Sequence, residues 1–571
     1  MSKSINIVLA LAGAVALTSC GKMGALSADN FTVTPNPMET NGGKVDVTIN
    51  GKFPQKYMKR KAEVTVTPVM KYAGNQTPGQ SARFQGEKVE GNNQTISYKV
   101  GGNYTMKNSF KYVPEMQQSE LYLKFDGKIG KKTVKIPDVK VADGVVATSE
   151  LLKRTLASAN PAVAPDAFVH VLKQKQEASI QFLIQQAKIR NSELKKTSVK
   201  DFIKTLRDIK ADQDRKELNN VEVSAYASPD GGLKLNDKLA AQREKTSKGY
   251  VNRLLKKEKV ATNVDTRYTA QDWDGFQQLV SASNIQDKEV ILRVLSMYKD
   301  PEQREQQIKN ISSAFRELAD EVLPQLRRSR LTINYDLIGR SDDEISEQYK
   351  SDPSKLSVEE LLYSATFTDN AAEQEGIYKK TAELYPKDYR AYNNLAAIAY
   401  MKGDASAAKN YIAKANAAKA NAAKANNPEA NVNAGMIALA EGDVDAAENY
   451  IAKGNGANNY NEALGNLNIA KGNYAQAANY LRGVKTNSAA LAQILSKDYD
   501  SASKTLAGVA KADATTSYLK AVLAARTGNK QDVIGNLKDA VAKDATYASY
   551  AGKDLEFAKY AADSAFKSIV K

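Results

Sequence analysis

Arg243 is the side chain whose type best suits holding a carboxylate, and Tyr226, Ser228, Asp230 and Asn236 lie close before it in the sequence. A guanidinium presents a planar fork of N–H donors that meets a carboxylate at two oxygens at once, and neighbouring hydroxyls and amides can complete the oxygens' remaining positions. Arg243 lies four residues after Leu239 and seven before Tyr250, so on a helix it shares their inward stripe. Two settings satisfy that placement: a fork held out to an anionic ligand, or a long side chain snorkelling from the edge of the stripe to solvent. Asp230 lies in Pro-Asp-Gly, which is both a position for an anchoring acid and the sequence a plain turn prefers. Other chemistry is poorly supplied. His170 is the sole histidine and Cys20 the sole cysteine of 571 residues, which removes histidine-based metal clusters, most nucleophile–base pairs and any intramolecular disulfide. No spacing singles out a pair of carboxylates for acid–base work. The expectation is no enzyme, no cofactor and no metal.

The elements that must position these residues alternate strand and helix over residues 165–339. Glu177-Ala-Ser-Ile-Gln-Phe-Leu-Ile184 is strand-like. Ser198 with Asp201 three residues on has the form of a capping box, opening a helix that repeats Val199, Phe202, Ile203, Leu206 and Ile209. Val221-Glu-Val-Ser-Ala-Tyr226 is a second strand, Ala227 to Gly232 a turn, and Asn236 to Lys257 a helix with Leu239, Tyr250 and Leu254 on one stripe. Val264 to Tyr268 gives a third strand, Trp273, Phe276, Leu279 and Val280 a helix face, and Asp287 to Leu326 further helical material. Arg327-Arg328-Ser-Arg-Leu-Thr-Ile-Asn-Tyr335 closes the region as a strand.

The string Val221-Glu-Val-Ser-Ala-Tyr-Ala-Ser-Pro-Asp-Gly, followed by Asn236-Asp-Lys-Leu239 and Gln242-Arg243, resembles the OmpA-like cell-wall-binding family, as does a final strand after an Arg pair. The resemblance implies a β-α-β-α-β unit that holds a carboxylate of the peptidoglycan stem peptide with an Asp and an Arg. Arg243 falls on the family's Arg position. The family's Asp falls eight residues before the Asn, where this chain has Ser228. Asp230, Tyr226, Ser228 and Asn236 complete the expected peptidoglycan-binding set, and the helical stretch before Arg327 is longer than the family usually has, which suggests an insertion.

The N-terminus is an address. Lys3 supplies a positive charge, Ile5 to Leu17 an apolar stretch of signal-peptide length, and Leu17-Thr18-Ser19-Cys20 resembles the bacterial lipobox, which implies lipidation of Cys20 followed by removal of residues 1–19. Residues 20–28 would be a lipidated linker. Over residues 29–147 short runs alternate with period two, among them Lys44 to Ile49, Ala62 to Thr67, Thr95 to Val100 and Ser119 to Phe125, separated by Gly- and Asn-rich turns. This favours a β-sandwich of immunoglobulin-like type. Tyr98, Tyr104, Tyr112 and Tyr122 either line a binding face or pack across strands. The net charge of +16 is spread through the chain with no aromatic-and-basic nucleic-acid motif, so nucleic acid is not an expected partner.

Residues 357–571 are helical and repetitive. Gly403-Asp404, Gly442-Asp443 and Gly472-Asn473 precede Ala407-Ala408, Ala446-Ala447 and Gln476-Ala477, the Gln being the one departure, and, eight residues after the Gly, a Tyr (Tyr411, Tyr450, Tyr480). Small residues where helices cross and a Gly at the turn resemble the tetratricopeptide pattern, with weaker copies around Tyr499 to Leu506 and Gly528 to Leu537. Such a solenoid offers a concave surface to another polypeptide, or serves as a spacer stacked on its neighbour. A five-residue repetition over Ala413 to Asn426 is expected to extend a helix.

The fold expectation is therefore a multidomain α+β chain: an N-terminal immunoglobulin-like sandwich, an OmpA-like βαβαβ domain with a helical insertion, and a C-terminal tetratricopeptide-like α-helical solenoid, with linkers at 148–164 and 340–356. This arrangement looks like lipoproteins of the Bacteroidota, and the absence of acids in Gly21-Lys22-Met23-Gly24 points to the periplasmic face of the outer membrane. Two functions follow: a link from membrane to peptidoglycan that recruits an envelope protein through the repeats, or a non-catalytic scaffold of an outer-membrane assembly or secretion complex whose OmpA-like domain no longer grips the wall.

Overall fold

The computed structural model describes residues 23–285, 287–310, 316–418 and 427–571. Cys20 and the signal-like residues before it lie outside the described residues, as does 419–426 of the short repetition. The chain forms two compact units, Met1–Asp166 with Ala365–Lys571, and Ala167–Ser364. No helix among the described residues is long and apolar enough to cross a membrane.

In the first unit, the N-terminal strands build two sheets over one core. One sheet contains Phe31–Thr34, Met38–Asn41, Lys44–Phe53, Gly102–Lys111 and Val145–Val146; the other contains Ala62–Tyr72, Asn75–Pro78, Ala82–Gly86, Gln94–Ile96, Glu120–Ile129 and Lys132–Asp143. Alternation along each strand sends Val45, Val47, Ile49 and Phe53 from one side, and Val64, Val66, Leu121, Leu123 and Phe125 from the other, into a shared interior. The expected strand Thr95 to Val100 is cut short: pairing ends at Ile96, residues 98–100 form a turn, and Val100 is exposed. The four tyrosines share no face. Tyr104 is buried against Phe53 and Phe84, with ring centroids 5.2 and 4.4 Å away, while Tyr122 lies under Lys71, 3.8 Å from the ring centroid, on the other sheet.

The helices of this unit stack in antiparallel pairs. Tyr389–Met401 pairs with Ala405–Ala417, Pro428–Glu441 with Val444–Ile451, Tyr460–Ala470 with Tyr474–Tyr480, Asn487–Leu495 with Tyr499–Ala507, and Ala514–Thr527 with Lys530–Lys543. Each inter-helix turn uses the same device. Gly403, Gly442, Gly472 and Gly528 hold φ between +75 and +82°, a conformation that costs glycine nothing. Asp404, Asp443 and Asn529 then cap the following helix through its free N–H groups. The fourth turn has Lys497 in the left-handed position, φ +67°, followed by the cap Asp498. Five residues after each of these turn residues, Ala408, Ala447, Ala477, Ala502 and Val533 are fully buried where the helices meet. The recurrent tyrosines are not part of that core; Tyr450 is 40% exposed and Tyr411 and Tyr480 are half-buried.

The second unit is a four-stranded sheet in the order Val171–Gln181, Arg328–Ile338, Lys216–Tyr226 and Val264–Thr269, antiparallel except for the last pair. Thr197–Ala211 and Leu233–Glu258 bury Val199, Phe202, Leu206, Val251 and Leu255 against Ile180, Val221, Val223, Leu331 and Ile333. The chain thus runs strand, helix, strand, helix, strand, then the helical insertion, then the closing strand. The first strand ends earlier than its apolar residues imply, leaving Leu183 and Ile184 exposed, and the helix expected to open on a Ser198 capping box begins at Thr197 with no side-chain cap. The insertion has its own small core of Phe276, Val280, Ile291, Leu295, Leu318 and Leu323.

Neither expected linker is one. Residues 340–356 carry the helix Asp342–Ser351, closed by a capping box between Ser341 and Glu344 with Ile345 fully buried, and Val358–Ser364 also belongs to this second unit rather than to the repeats. Residues 148–164 lie along the helix pairs of the first unit.

Candidate functional site

In the second unit the turn 227–232 joins the strand Lys216–Tyr226 to the helix Leu233–Glu258, so the five residues read from sequence are brought together. Asn236 ties the turn down: its Nδ2 donates to the carbonyls of Ser228 (2.9 Å) and Gly231 (2.8 Å). The Ser228 hydroxyl donates to Asp230 at 2.5 Å, and Arg327 donates from Nη2 to Asp230 at 3.0 Å and from Nε to the Ser228 hydroxyl at 3.3 Å. The second member of the Arg pair, Arg328, donates to Asp272 at 3.3 Å and lies over the Tyr226 ring at 5.6 Å. Asp230 is thus already paired, and the insertion packs over it. The cavity between Pro229, Asp230 and the insertion residues Trp273, Phe276, Ile308, Leu318 and Leu323 is about 10 Å3, room for no more than one water.

Arg243 takes up neither setting that its spacing allows. It has no exposed surface. Its Nε donates to the Gln186 carbonyl (3.0 Å), Nη1 to Tyr226 (2.9 Å) and Nη2 to Leu183 (3.3 Å), and the guanidinium lies 5.2 Å from the Phe182 ring. Burial, helped by the positive charge of Arg327, pushes its pKa down to about 10. The helix stripe explains this position: Asn236, Ala240, Arg243, Ser247 and Val251 all face inward, and the polar members find partners at the end of the sheet. The fork clasps three carbonyls where the first and third-in-order strands end, of which that of Leu183 also accepts the Gln186 N–H at 3.1 Å.

The first unit holds a different constellation, one the sequence reading did not anticipate. Residues 148–166 run along the inner face of the helix pairs, in the opposite direction to the repeats. Their first half is apolar and deep: Leu151, Leu152 and Leu156 join the core of the array, and the Tyr400 hydroxyl donates to the Leu156 carbonyl at 2.6 Å. Thr155 meets Ser488 at 2.9 Å, and Asn487 donates to Ser158 at 3.1 Å. The second half is extended and held by its backbone. Asn160 donates its N–H to Glu462 at 3.2 Å, and its carbonyl accepts from Asn459 at 2.5 Å. The Ala162 N–H donates to Asn433 at 2.7 Å while its carbonyl accepts from Asn433 (2.8 Å) and Asn393 (2.9 Å). Ala164 makes both bonds with Asn394, at 2.8 and 3.2 Å, and the Asp166 carbonyl accepts from Arg390 at 2.7 Å.

Every second residue therefore gives both backbone groups to side chains from successive helices, the spacing of an extended chain. Ala162 and Ala164 point in and are buried, whereas Val163 and Pro165 point out, and a proline there has no N–H to leave unpaired. Glu462 lacks an ion-pair partner among the described residues; burial raises its pKa, against the two Asn160 donors that lower it. The signal for this site was present as asparagines inside helices at inward positions, where such residues are unfavourable without partners.

Comparisons with known proteins add little to these observations. No family model matches the chain, and no curated protein matches it. Among solved structures, it is similar to a tetratricopeptide repeat protein from Parabacteroides merdae, at 12% identity over 40% of this chain and 89% of that one, with a TM-score of 0.27. It is also similar to PilF of Pseudomonas aeruginosa, at 16% identity over 40% of this chain and 98% of that one, TM-score 0.25. A third is a chain of the Cut9–Hcn1 hetero-tetramer, at 14% identity over 60% and 77% of the two chains, TM-score 0.29. The helix-pair architecture rests on the turns, caps and contacts described above.

Proposed function

We propose that the mature protein is a non-catalytic scaffold of the bacterial envelope, anchored through a lipidated Cys20 on the periplasmic face of the outer membrane, with its helix pairs as the surface that takes hold of another polypeptide. One observation carries this reading: side chains on successive inner helices bind the N–H and C=O groups of an extended chain at every second residue. A surface built that way recognises protein backbone. The second unit, an OmpA-like domain by its motif, serves here as a folded platform.

What weighs against a grip on peptidoglycan is the setting of Arg243 and Asp230. The arginine is enclosed by three carbonyls of its own domain, and the acid is bound to Arg327 under the insertion. A stem-peptide carboxylate would have to displace both arrangements. Two measurements on the mature protein test the reading. Crosslinking in native membranes followed by mass spectrometry is expected to recover a recurrent protein partner joined to the helices between Tyr389 and Lys543. Incubation with purified sacculi is expected to leave the protein in the supernatant. Firm pelleting with sacculi and no protein crosslink would restore the wall-linking function.

A further inference from the structure

We propose that residues 158–166 are a displaceable internal ligand, and that the working occupant of their groove is an extended segment of another protein with alanine-sized residues at alternate positions. The inference rests on the scaffold reading and specifies where and what that scaffold binds.

The occupant itself defines the chemistry. The groove reads backbone at residues 160, 162 and 164 and accepts only small side chains at the last two, since Ala162 and Ala164 are 1% and 3% exposed. At the positions between, Val163 is 45% exposed and Pro165 faces out, so the groove sets no requirement on side chains there beyond an extended backbone. The two halves of the segment are held differently. Residues 148–156 are fixed by Leu151, Leu152 and Leu156, which are part of the array's core and would expose it on leaving. Beyond Leu156 the buried apolar side chains are alanines only, Ala159, Ala162 and Ala164, and attachment is mainly by hydrogen bonds that any other extended backbone reproduces. Exchange of one backbone for another in this half keeps the backbone hydrogen bonds and gives up only those of the Ser158 and Asn160 side chains.

A second observation shows capacity that the internal segment does not use. Asn466 lies one helical turn after Glu462, on the same face, and is fully buried; its Oδ1 has no hydrogen-bond partner, and its Nδ2 meets only the sulfur of Met436 at 3.7 Å. Buried amides left in this state are uncommon, and this one, a turn beyond the Glu462 that holds Asn160, has an acceptor for a donor that the present occupant does not supply.

Two experiments on the mature full-length protein test the proposal. In the first, hydrogen exchange of the unmodified protein is expected to show the Ala162 and Ala164 amides exchanging at least tenfold faster than the amides of residues 151–156. Equal protection of both halves would overturn the claim that one half is displaceable. In the second, a labelled synthetic peptide copying residues 158–166 is titrated onto the Ala162→Asp variant, in which a charge at a buried position expels the internal segment. Saturable binding at least tenfold tighter than to the unmodified protein is expected, falling at least tenfold when Asn433→Ala is added. A folded Ala162→Asp variant that binds no peptide, or binding indifferent to Asn433, would overturn it. So would a doubling of mass in light scattering with residues 158–166 crosslinked to a second copy, since the occupant would then be this chain. Crosslinks to a partner confined to the outer helices would leave the scaffold reading standing while this inference fails.

Discussion

Asp554 is the group whose replacement has the most calculable effect. It is buried, where it accepts a hydrogen bond from Tyr518 at 2.6 Å and from the Glu556 N–H at 3.0 Å, capping the turn Leu555–Tyr560. The nearby cation, Arg526, is committed to Glu556, with Nε at 2.9 Å. Burial, with the charge of Glu556 adding to it, raises the Asp554 pKa from 3.8 to about 6. A raised carboxyl pKa means that folding favours the protonated form, so stability is greatest at low pH, declines as pH climbs from about 4 to 6, and is flat above. Two pH units correspond to about 3 kcal/mol. Asp554→Asn removes the charge and keeps the cap, because the amide oxygen still accepts from Glu556 N–H and its NH2 donates to the Tyr518 hydroxyl. The variant is therefore expected to be more stable than the unmodified protein by up to about 3 kcal/mol at pH 7.5, with the gap shrinking by most of that amount at pH 4. Calorimetric unfolding of both proteins between pH 4 and 8 measures it. A gap independent of pH, or a variant less stable at pH 7.5, would refute the reasoning.

Three further outcomes are expected. Lys497→Gly relieves the left-handed backbone at the fourth inter-helix turn and raises stability by about 0.5–1 kcal/mol, the strain relieved less the extra freedom of the unfolded chain; a lowered unfolding temperature would contradict it. Arg243→Ala leaves the carbonyls of Gln186 and Tyr226 without their donor, while that of Leu183 keeps the Gln186 N–H, and costs the second unit about 2 kcal/mol or more, measured as faster hydrogen exchange over that unit with sacculus pelleting unchanged. Retained protection with altered pelleting would make Arg243 a ligand group after all. Cys20→Ser moves the protein from the membrane pellet to the soluble fraction and abolishes fatty-acid labelling; a variant still labelled and membrane-bound would end the lipobox reading.

Much of the architecture was legible because it rests on local periodicity. The alternation in Lys44 to Ile49 and the three-and-four spacing of Val199, Phe202, Leu206 and Ile209 are each decided within one element. The inter-helix turns were legible for the same reason, since Gly442-Asp443 states both a left-handed stop and a start cap in two letters. Thr95 to Val100 shows the limit: its pattern suits a strand, but Gly101 and the turn at residues 98–100 end the pairing at Ile96. The candidate site was half legible. Helix periodicity placed Arg243 inward, yet what it meets there is set by where the strand Val171–Gln181 stops, five residues before the Gln186 carbonyl it clasps. The groove left a signal only in the inward asparagines of the helices, and nothing in the sequence says which segment they hold. Residues 158–166 have the Pro and Ala content of a linker, and their order comes from Asn393, Asn433 and Glu462, more than two hundred residues away in the chain. A pairing that distant leaves no trace in either segment's own spacing.

The first unit is completed by segments on both sides of the second, which occupies Ala167–Ser364. During synthesis the sandwich and the segment after it emerge first, and Leu151, Leu152 and Leu156 stay without their helical neighbours until the helices between Tyr389 and Leu495 have been made. Closing that long gap carries an entropic cost that grows only slowly with its length, but it slows the search for native contacts. A fragment ending after the second unit would therefore carry a leucine-rich tail with nothing to cover it, prone to aggregation, whereas excision of residues 167–364 with a short bridge should leave a first unit that folds faster than the intact chain.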